Sequence, residues 1–494
     1  MKLIYGITDK PKFGQLIVFA LQQLLAIMAA TLVVPVIVGH GMQPAAALFG
    51  AGMGTLVYVL FTRGKSPVFL GSSFAFIGSM SAAFAGAVSM QAGYAGILIG
   101  AGFAGLVYVV IALVVKFAGV AWINKIMPAV VIGPTVAIIG LSLAGNAVGD
   151  LTKVNYVAPV DAALYQVVEV DEIGGDGTLG TSLKVFTEDG VNCPGIAIQA
   201  NEDGTYALSQ TTGSPYVALI CGLITLFVTM ICSSYGKKMV KLIPFIIGII
   251  AGYLAATIFY FIGKATGNAA LMIINFAPFA AMESMIAVPD FTFLTAMKGF
   301  AEIDASYIGT IAAAYVPVAF VVFAEHIADH KNLSSIIEQD LLENPGLHRT
   351  LLGDGVGSIV GAIFGGCPNT TYGESVGCVA ITKNASVATI IAAAIGALLI
   401  SFITPFVAFV NTIPSCVMGG VCMALYGFIA VSGLKMIKNV DLEQNKNLFV
   451  VSVILIAGIG GLVLQIGAVT ITSIACALIL GILVNLLLSK AQEN

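Results

Sequence analysis

Two carboxylates lie in stretches that are otherwise apolar: Glu325 in AYVPVAFVVFAEHIADH and Glu374 in GGCPNTTYGESVGCVAITK. An ionisable side chain inside a membrane segment is costly, and it usually lines a substrate or proton path. Two such groups in two separate segments point to transport. Carboxylates accept hydrogen bonds from ligand N–H groups. Burial disfavours their charged form, so a group held this way is suited to load a proton on one face and release it on the other. Asp329 follows Glu325 by four residues, one helical turn away on the same face, where it would tune or relay protonation. His326 and His330 share another face at the same spacing. HIADH is similar to an HxxEH zinc motif with Asp in place of Glu. A zinc site needs a further ligand, however, and His40 and His348 sit in connections. No metal is expected.

The neighbouring residues supply donors. SPVFLGSSFAFIGSM is an extended run leading into a helix, and in GGCPNTTYGESVG Pro368 and its flanking glycines forbid a continuous helix. A half-helix begins in each, near Phe74 and near Gly373, and its first N–H groups lack intrahelical partners. Those donors suit ligand carbonyl oxygens, and Gly373 leaves room for close approach. Ser72, Ser73, Thr370 and Thr371 can cap the half-helices or add hydroxyl contacts. Phe74, Phe76, Tyr372 or Tyr426 could stack on a ring. A planar ring alternating N–H donors with carbonyl acceptors, such as a pyrimidine-dione, fits this inventory.

The elements that hold these residues are membrane spans. Of 494 residues, 59% are hydrophobic and 9% charged, with a mean hydropathy of +1.01. Soluble domains carry about 25% charged residues, so lipid is the main solvent here. The polar opening MKLIYGITDKPKFGQ shows no cleavable signal pattern, so the first apolar run is read as a mature span. Spans are expected at Leu16–Val38, Pro44–Phe61, Phe74–Val88, Tyr94–Val115, Pro128–Val148, Tyr216–Cys232 and Leu242–Ile262. Seven more follow at Ile308–Glu325, Ser358–Gly366, Gly373–Thr382, Ala388–Val407, Cys416–Met436, Leu448–Leu464 and Thr470–Leu488. With fourteen spans and the N-terminus inside, seventeen of the 21 Lys and Arg residues fall on the inner side and four outside. That segregation is the positive-inside bias, and it places both termini in the cytoplasm. The interrupted spans are the third and tenth, the same position in each seven-span half. Matched broken helices of this kind mark transporter binding sites.

Residues 149–213 interrupt the spans with ten acids and two lysines. LYQVVEV, TSLKVFT, GIAIQ and TYALS alternate apolar and polar residues between GGDG, EDG and NEDG turn signals. A small extracellular β-subdomain of about four strands is expected. The eight cysteines imply no disulfide framework.

LGSSFAFI, AEHIADH, PNTTYGESVGCVAITK, ALYGFIAVSGLK and VDLEQNKNLFVVSVILIAGIGG resemble the nucleobase–ascorbate transporter family, nearest its uracil-carrying branch. The resemblance covers the chain apart from the 149–213 insertion. It implies an all-α polytopic membrane protein of fourteen spans in two inverted seven-span repeats. A core domain of spans one to four (within 1–148) and eight to eleven (301–411) would pack on a gate domain. The gate would hold span five, spans six and seven with an outer loop (214–300) and spans twelve to fourteen (412–494). By motif, Glu325 matches the eighth-span substrate-binding glutamate and Glu374 the tenth-span acidic position, with Tyr372 and Gly373 beside it. Phe74 matches the third-span residue whose N–H contacts the base, and Tyr426 a twelfth-span residue facing the site. Ser73 and Thr371 complete the expected substrate set. Glu325, Glu374, Asp329 and His326 form the expected proton-coupling set.

The chain departs from the family pattern at Ser375, where Asn is usual, at Gln22-Gln23 in place of Gln-His, and at Asp329, where uracil permeases often carry histidine. The resemblance implies import of uracil with a proton across the plasma membrane, no cofactor beyond that proton, no nucleic-acid partner, no enzymatic activity and a homodimer. A purine or xanthine permease is the near alternative, and an anion transporter on the same architecture a more distant one.

Overall fold

The computed structural model describes residues 3–119, 128–154, 156–160, 165–173, 179–187, 193, 196–200, 206–237, 239–438, 440–466 and 469–488. The chain is mostly helical, because a backbone in lipid must satisfy its own N–H and C=O groups. Its first part runs α1 (Phe13–Val38), α2 (Pro44–Phe61), β1 (Leu70–Ser72), α3 (Ile77–Ala85), α4 (Met90–Ala118), α5 (Ala129–Ser142) and α6 (Ala144–Asp150). Strands β2 (Val157–Val160), β3 (Tyr165–Ile173), β4 (Leu179–Thr187), β5 (Ile196–Ala200) and β6 (Tyr206–Thr211) follow. Then come α7 (Pro215–Tyr235), α8 (Met239–Leu242), α9 (Pro244–Thr266), α10 (Ala277–Ala280), α11 (Thr292–Gly299), α12 (Ala305–Ile337) and α13 (Leu347–Gly365). The last part is β7 (Asn369–Thr371), α14 (Gly373–Thr382), α15 (Val387–Ile400), α16 (Thr404–Thr412), α17 (Ser415–Ile437), α18 (Asn445–Ile459), β8 (Leu464–Ile466), β9 (Val469–Ile471) and α19 (Ser473–Leu487). Among the described residues, eight helices are long and apolar enough to cross a membrane.

Local sequence explains the helix ends. Proline opens α2, α7 and α9, where its missing N–H costs nothing and its fixed φ suits the first turn. Ser89 caps α4 by accepting from Ala92 N–H at 3.0 Å, and Asp304 caps α12 by accepting from Tyr307 N–H at 2.7 Å. Gly267, in the left-handed conformation, ends α9.

The helices pack in two groups. α2 lies against α13 and α15, α4 against α12 and α13, and α1 against α15. In the other group α17 packs on α5 and α7, α9 on α7, and α18 on α5 and α19. The α2–α13 contact depends on glycine: a Cβ at Gly50 would stand 2.4 Å from the Gly361 carbonyl oxygen. Small residues allow this close backbone approach.

Within the first group the two interrupted segments meet. β1 and β7 pair antiparallel, with Leu70 opposite Thr371 and Ser72 opposite Asn369. Two further bonds extend the ladder, Tyr372 N–H to Phe69 O at 3.2 Å and Ser73 N–H to Pro368 O at 2.9 Å. Both strands are buried. Extended backbone is tolerated at that depth only when protein satisfies its polar groups, and here each strand satisfies the other.

Several expectations are corrected. The eighth apolar run does not stop at Glu325, because α12 continues to Ile337 and carries Asp329 and His330 with it. The ninth does not start at Ser358, because the mixed stretch LHRTLLGDGVG is already helical from Leu347. The eleventh breaks into α15 and α16 around Ser401–Ile403, where Ile403 bridges Ile286. The insertion holds five described strands rather than four: β2, β6 and β5 form one sheet and β3–β4 a hairpin. Its GGDG, EDG and NEDG turns fall outside the described residues. The eight cysteines are free.

Candidate functional site

A cavity of about 390 Å³ sits where the β1–β7 crossing faces the second helical group. The two half-helices open onto it. Phe74 and Ala75 come from the turn before α3, and Tyr372, Gly373 and Glu374 from the start of α14. Neither half-helix has a side-chain cap from its N-cap residue, so first-turn N–H groups other than that of Glu374, which meets its own carboxyl, remain available to a ligand. α12 contributes Glu325 and Asp329, and the second group supplies an apolar wall including Val136, Ile139, Phe245 and Phe428. An apolar cavity with a few convergent polar groups is the usual form of a small-molecule site.

Gly373 is informative. A Cβ there would meet only Asp329 Oδ1, at 3.7 Å, an ordinary contact. Packing therefore does not require glycine at this position, and what its missing side chain leaves is space at the half-helix N-terminus. Gly71 differs: a Cβ there would stand 2.4 Å from the Tyr372 ring. That ring lies beneath the crossing and donates its hydroxyl to Ser72 O at 2.7 Å.

Of the residues singled out from sequence, Glu325, Glu374, Phe74, Gly373, Tyr372 and Asp329 line the cavity together. Four others stand behind it. Tyr426 is buried and meets Phe74 edge-on, with ring centroids 5.9 Å apart. Thr371 donates to Asp329 Oδ2 at 2.9 Å, and Ser73 is buried beside the crossing. His326 faces the opposite way, into the α12–α13 contact. Its Nδ1 is 2.6 Å from Asp354 Oδ2 and its Nε2 is 2.9 Å from Thr350 Oγ1. His330 stacks on it at 4.0 Å and bonds Tyr58 Oη at 2.7 Å. One turn of α12 thus carries acids on its cavity side and imidazoles on its packing side. No cluster able to hold a metal ion is found among the described residues.

Sequence reasoning missed two participants, Asp354 and Lys241, and had Thr370 among its hydroxyl candidates. Asp354 is 1% exposed, but its glycine-rich surroundings read as a connection. Thr370 lines the cavity with a buried Oγ1 that has no partner. Lys241, on the short helix α8, also lines the cavity although it lies outside the apolar runs. The departures at positions 23 and 375 have a structural outcome. Ser375 Oγ accepts from Phe69 N–H at 3.0 Å, and Gln23 Nε2 donates to Ser375 O at 3.4 Å. Both side chains therefore brace the crossing.

Crossed half-helices around a cavity, set among long apolar helices, define a multi-pass membrane transport protein rather than an enzyme. The same fold occurs in the transmembrane domain of a cyanobacterium bicarbonate transporter, BicA, at a TM-score of 0.58 and 16% identity over 98% of this chain and 99% of that one. The overall structure of SLC26A9 aligns at a TM-score of 0.59 and 11% identity, over 97% of this chain and 66% of that chain. Within this class the chain belongs to the Permease family, whose model matches residues 14–173 and 192–467. It is 38% identical to the uracil permease of Bacillus subtilis (strain 168), over all of this chain and 97% of the relative. It is 36% identical to that of Bacillus caldolyticus, again over all of this chain and 97% of the relative.

Proposed function

We propose that this protein imports uracil across the plasma membrane together with a proton, by alternating access. One observation carries the reading: Glu325 and Glu374 line the same cavity as the two uncapped half-helix N-termini. The carboxylates accept from the imide N–H groups, the half-helix N–H groups donate to the ring carbonyls, and Phe74 packs on the ring. Glu325 and Glu374, with Asp329 beside them, carry the coupling proton, and His326 acts on them only through α12. Likeness to uracil permeases along the whole chain supports the substrate.

The fourteen-span arrangement as two inverted seven-span repeats is supported by the β1–β7 pairing of the third and tenth segments. The first helical group is the core and the second the gate. The cavity mouth lies by exposed Lys241, Ile381 and Ser432, next to basic connections that the charge bias assigns to the cytoplasm, so the protein is in its inward-facing state with both termini inside. The protein works as a homodimer, which light scattering of the purified protein checks.

The bicarbonate and anion transporters of the same fold raise an anion reading. Three acids in the cavity against the single Lys241 at its mouth disfavour it, because an anion would meet a net surplus of carboxylates.

The test is uptake of labelled uracil into proteoliposomes, with and without an inward proton gradient. Gradient-driven uptake in wild type that is lost in Glu325→Gln and in Glu374→Gln is expected. Wild-type uptake of xanthine or an anion but not uracil would overturn the substrate assignment while leaving the fold.

A further inference from the structure

The opening segment, polar and unremarked as sequence, is built into the first helical group. Residues 3–9 run beside residues 383–387, the connection between α14 and α15, with Tyr5 and Asn384 forming a parallel bridge. Ile4 N–H donates to Lys383 O at 2.8 Å, Ala385 N–H to Tyr5 O at 2.9 Å and Val387 N–H to Ile7 O at 3.1 Å. Ser386 Oγ donates to Asp9 O. Asn384, Ala385, Ser386 and Val387 are buried, and buried backbone groups need partners. Lys383 ends α14 in the left-handed conformation, and Val387 opens α15. The last carbonyls and first N–H groups of helices lack intrahelical partners, and this strap supplies them.

The strap is itself anchored. Gly6 N–H donates to Asp9 Oδ2 at 2.7 Å. Tyr5 Oη donates to Gln15 Oε1 at 2.7 Å, and the Tyr5 ring meets Phe19 edge-on with centroids 6.0 Å apart. Both partners lie on α1. Ile7 is buried in one apolar cluster with Val376 and Val379 of α14 and Leu333 and Ile337 of α12. One short segment thus joins α1, α12 and the far end of α14.

α14 needs such a support. It has ten residues, Gly373–Thr382, and at ~1.5 Å per residue its ends stand roughly 14 Å apart. One end presents Gly373 and Glu374 to the cavity and follows directly on the β1–β7 pairing. A rod this short, held at that end alone, is free to tilt, and the strap holds the other end. α12, which shares the cluster around Ile7, carries Glu325 and Asp329, the latter four residues before Leu333. A binding constellation is precise only when the packing around it fixes its members to within about 0.5 Å.

We infer that residues 3–9 are a positioning element of the substrate site. They fix the far end of α14 against α12, and so set the half-helix N–H groups and Glu374 against Glu325 and Asp329. The inference rests on the reading of this cavity as the uracil site. Among the described residues none of the strap lines the cavity, so its effect on binding travels through α14 and α12.

The test uses the full chain in detergent and pairs a melting curve with uracil titration by calorimetry. Wild type is compared with Ile7→Ala, Ile7→Val and Ile454→Ala. Ile454 is a buried residue of α18, packed against Gly481 of α19, and it lines no part of the cavity. Ile7→Ala should weaken uracil binding about fivefold or more, the worth of one hydrogen bond lost from the site. Ile7→Val keeps the branched side chain and should hold affinity within about twofold of wild type. Ile454→Ala should lower the melting temperature and leave affinity unchanged.

A lowered melting temperature in Ile7→Ala with wild-type affinity would make the strap a stabilising element only and overturn the inference. Equal losses of affinity in Ile7→Ala and Ile454→Ala would overturn it too, because binding would then follow overall stability. Where Ile7→Ala fails to fold, Ser386→Ala removes the hydroxyl that holds Asp9 O and leaves the apolar cluster intact. It should weaken binding about threefold, and unchanged affinity would sink the positioning role. Absence of uracil binding in wild type would instead overturn the substrate reading itself, so the two failures are distinguishable.

Discussion

Gly373→Ala separates a site residue from a packing residue. The added methyl meets only Asp329 Oδ1, at 3.7 Å, so it needs no rearrangement of the protein. Alanine is preferred over glycine within a helix by up to about 1 kcal/mol, so the melting temperature should hold or rise slightly. A ligand carbonyl seeking the first N–H groups of α14, however, encounters the methyl where glycine leaves space. Losing one such hydrogen bond costs about 1–1.5 kcal/mol, or about tenfold in Kd. Gly71→Ala is the contrast, because its Cβ would overlap the Tyr372 ring at 2.4 Å and should lower stability. The assay pairs a melting curve in detergent with uracil titration by calorimetry. Wild-type affinity in a well-folded Gly373→Ala protein would refute the idea that ligand approaches this N-terminus, and a collapse of its melting temperature would refute the packing argument.

Three further outcomes follow from the geometry around the site. Asp354→Ala removes the partner held 2.6 Å from His326 Nδ1 and should destabilise the protein by about 1–3 kcal/mol, the cost of a buried polar group left unpaired; an unchanged melting temperature would show that the pair does not brace α12. Thr370→Val, with Oγ1 unpartnered at the cavity, should weaken uracil binding without altering the melt. Thr371→Val should act instead through Asp329, to which its hydroxyl donates, and should alter the pH profile of uptake more than uracil affinity. Identical effects of the two valine variants on binding and pH profile would contradict that division.

Much of this protein was legible in the chain because the bilayer imposes a coarse, one-dimensional code. Apolar runs and prolines located most of the long helices, since lipid penalises exposed backbone and charge wherever they occur. Glu325 and Glu374 stood out for the same reason, and Pro368 with its glycines announced a broken helix before any partner for it was known. The i, i+4 spacing already separated Glu325 and Asp329 from His326 and His330.

What pairs across space was not encoded in any local pattern. Asp354 looked like part of a polar connection until α13 carried it against His326. Thr370 and Thr371 are equivalent as sequence, and only the β1–β7 register turns one to the cavity and hands the other to Asp329. Lys241 belongs to no apolar run, yet the packing of the second helical group brings it to the cavity of the first. Sequence determined which stretches are apolar enough to favour lipid, because transfer free energy is summed residue by residue along the chain. Tertiary structure alone decided which side chains share a cavity, because that depends on contacts between segments hundreds of residues apart.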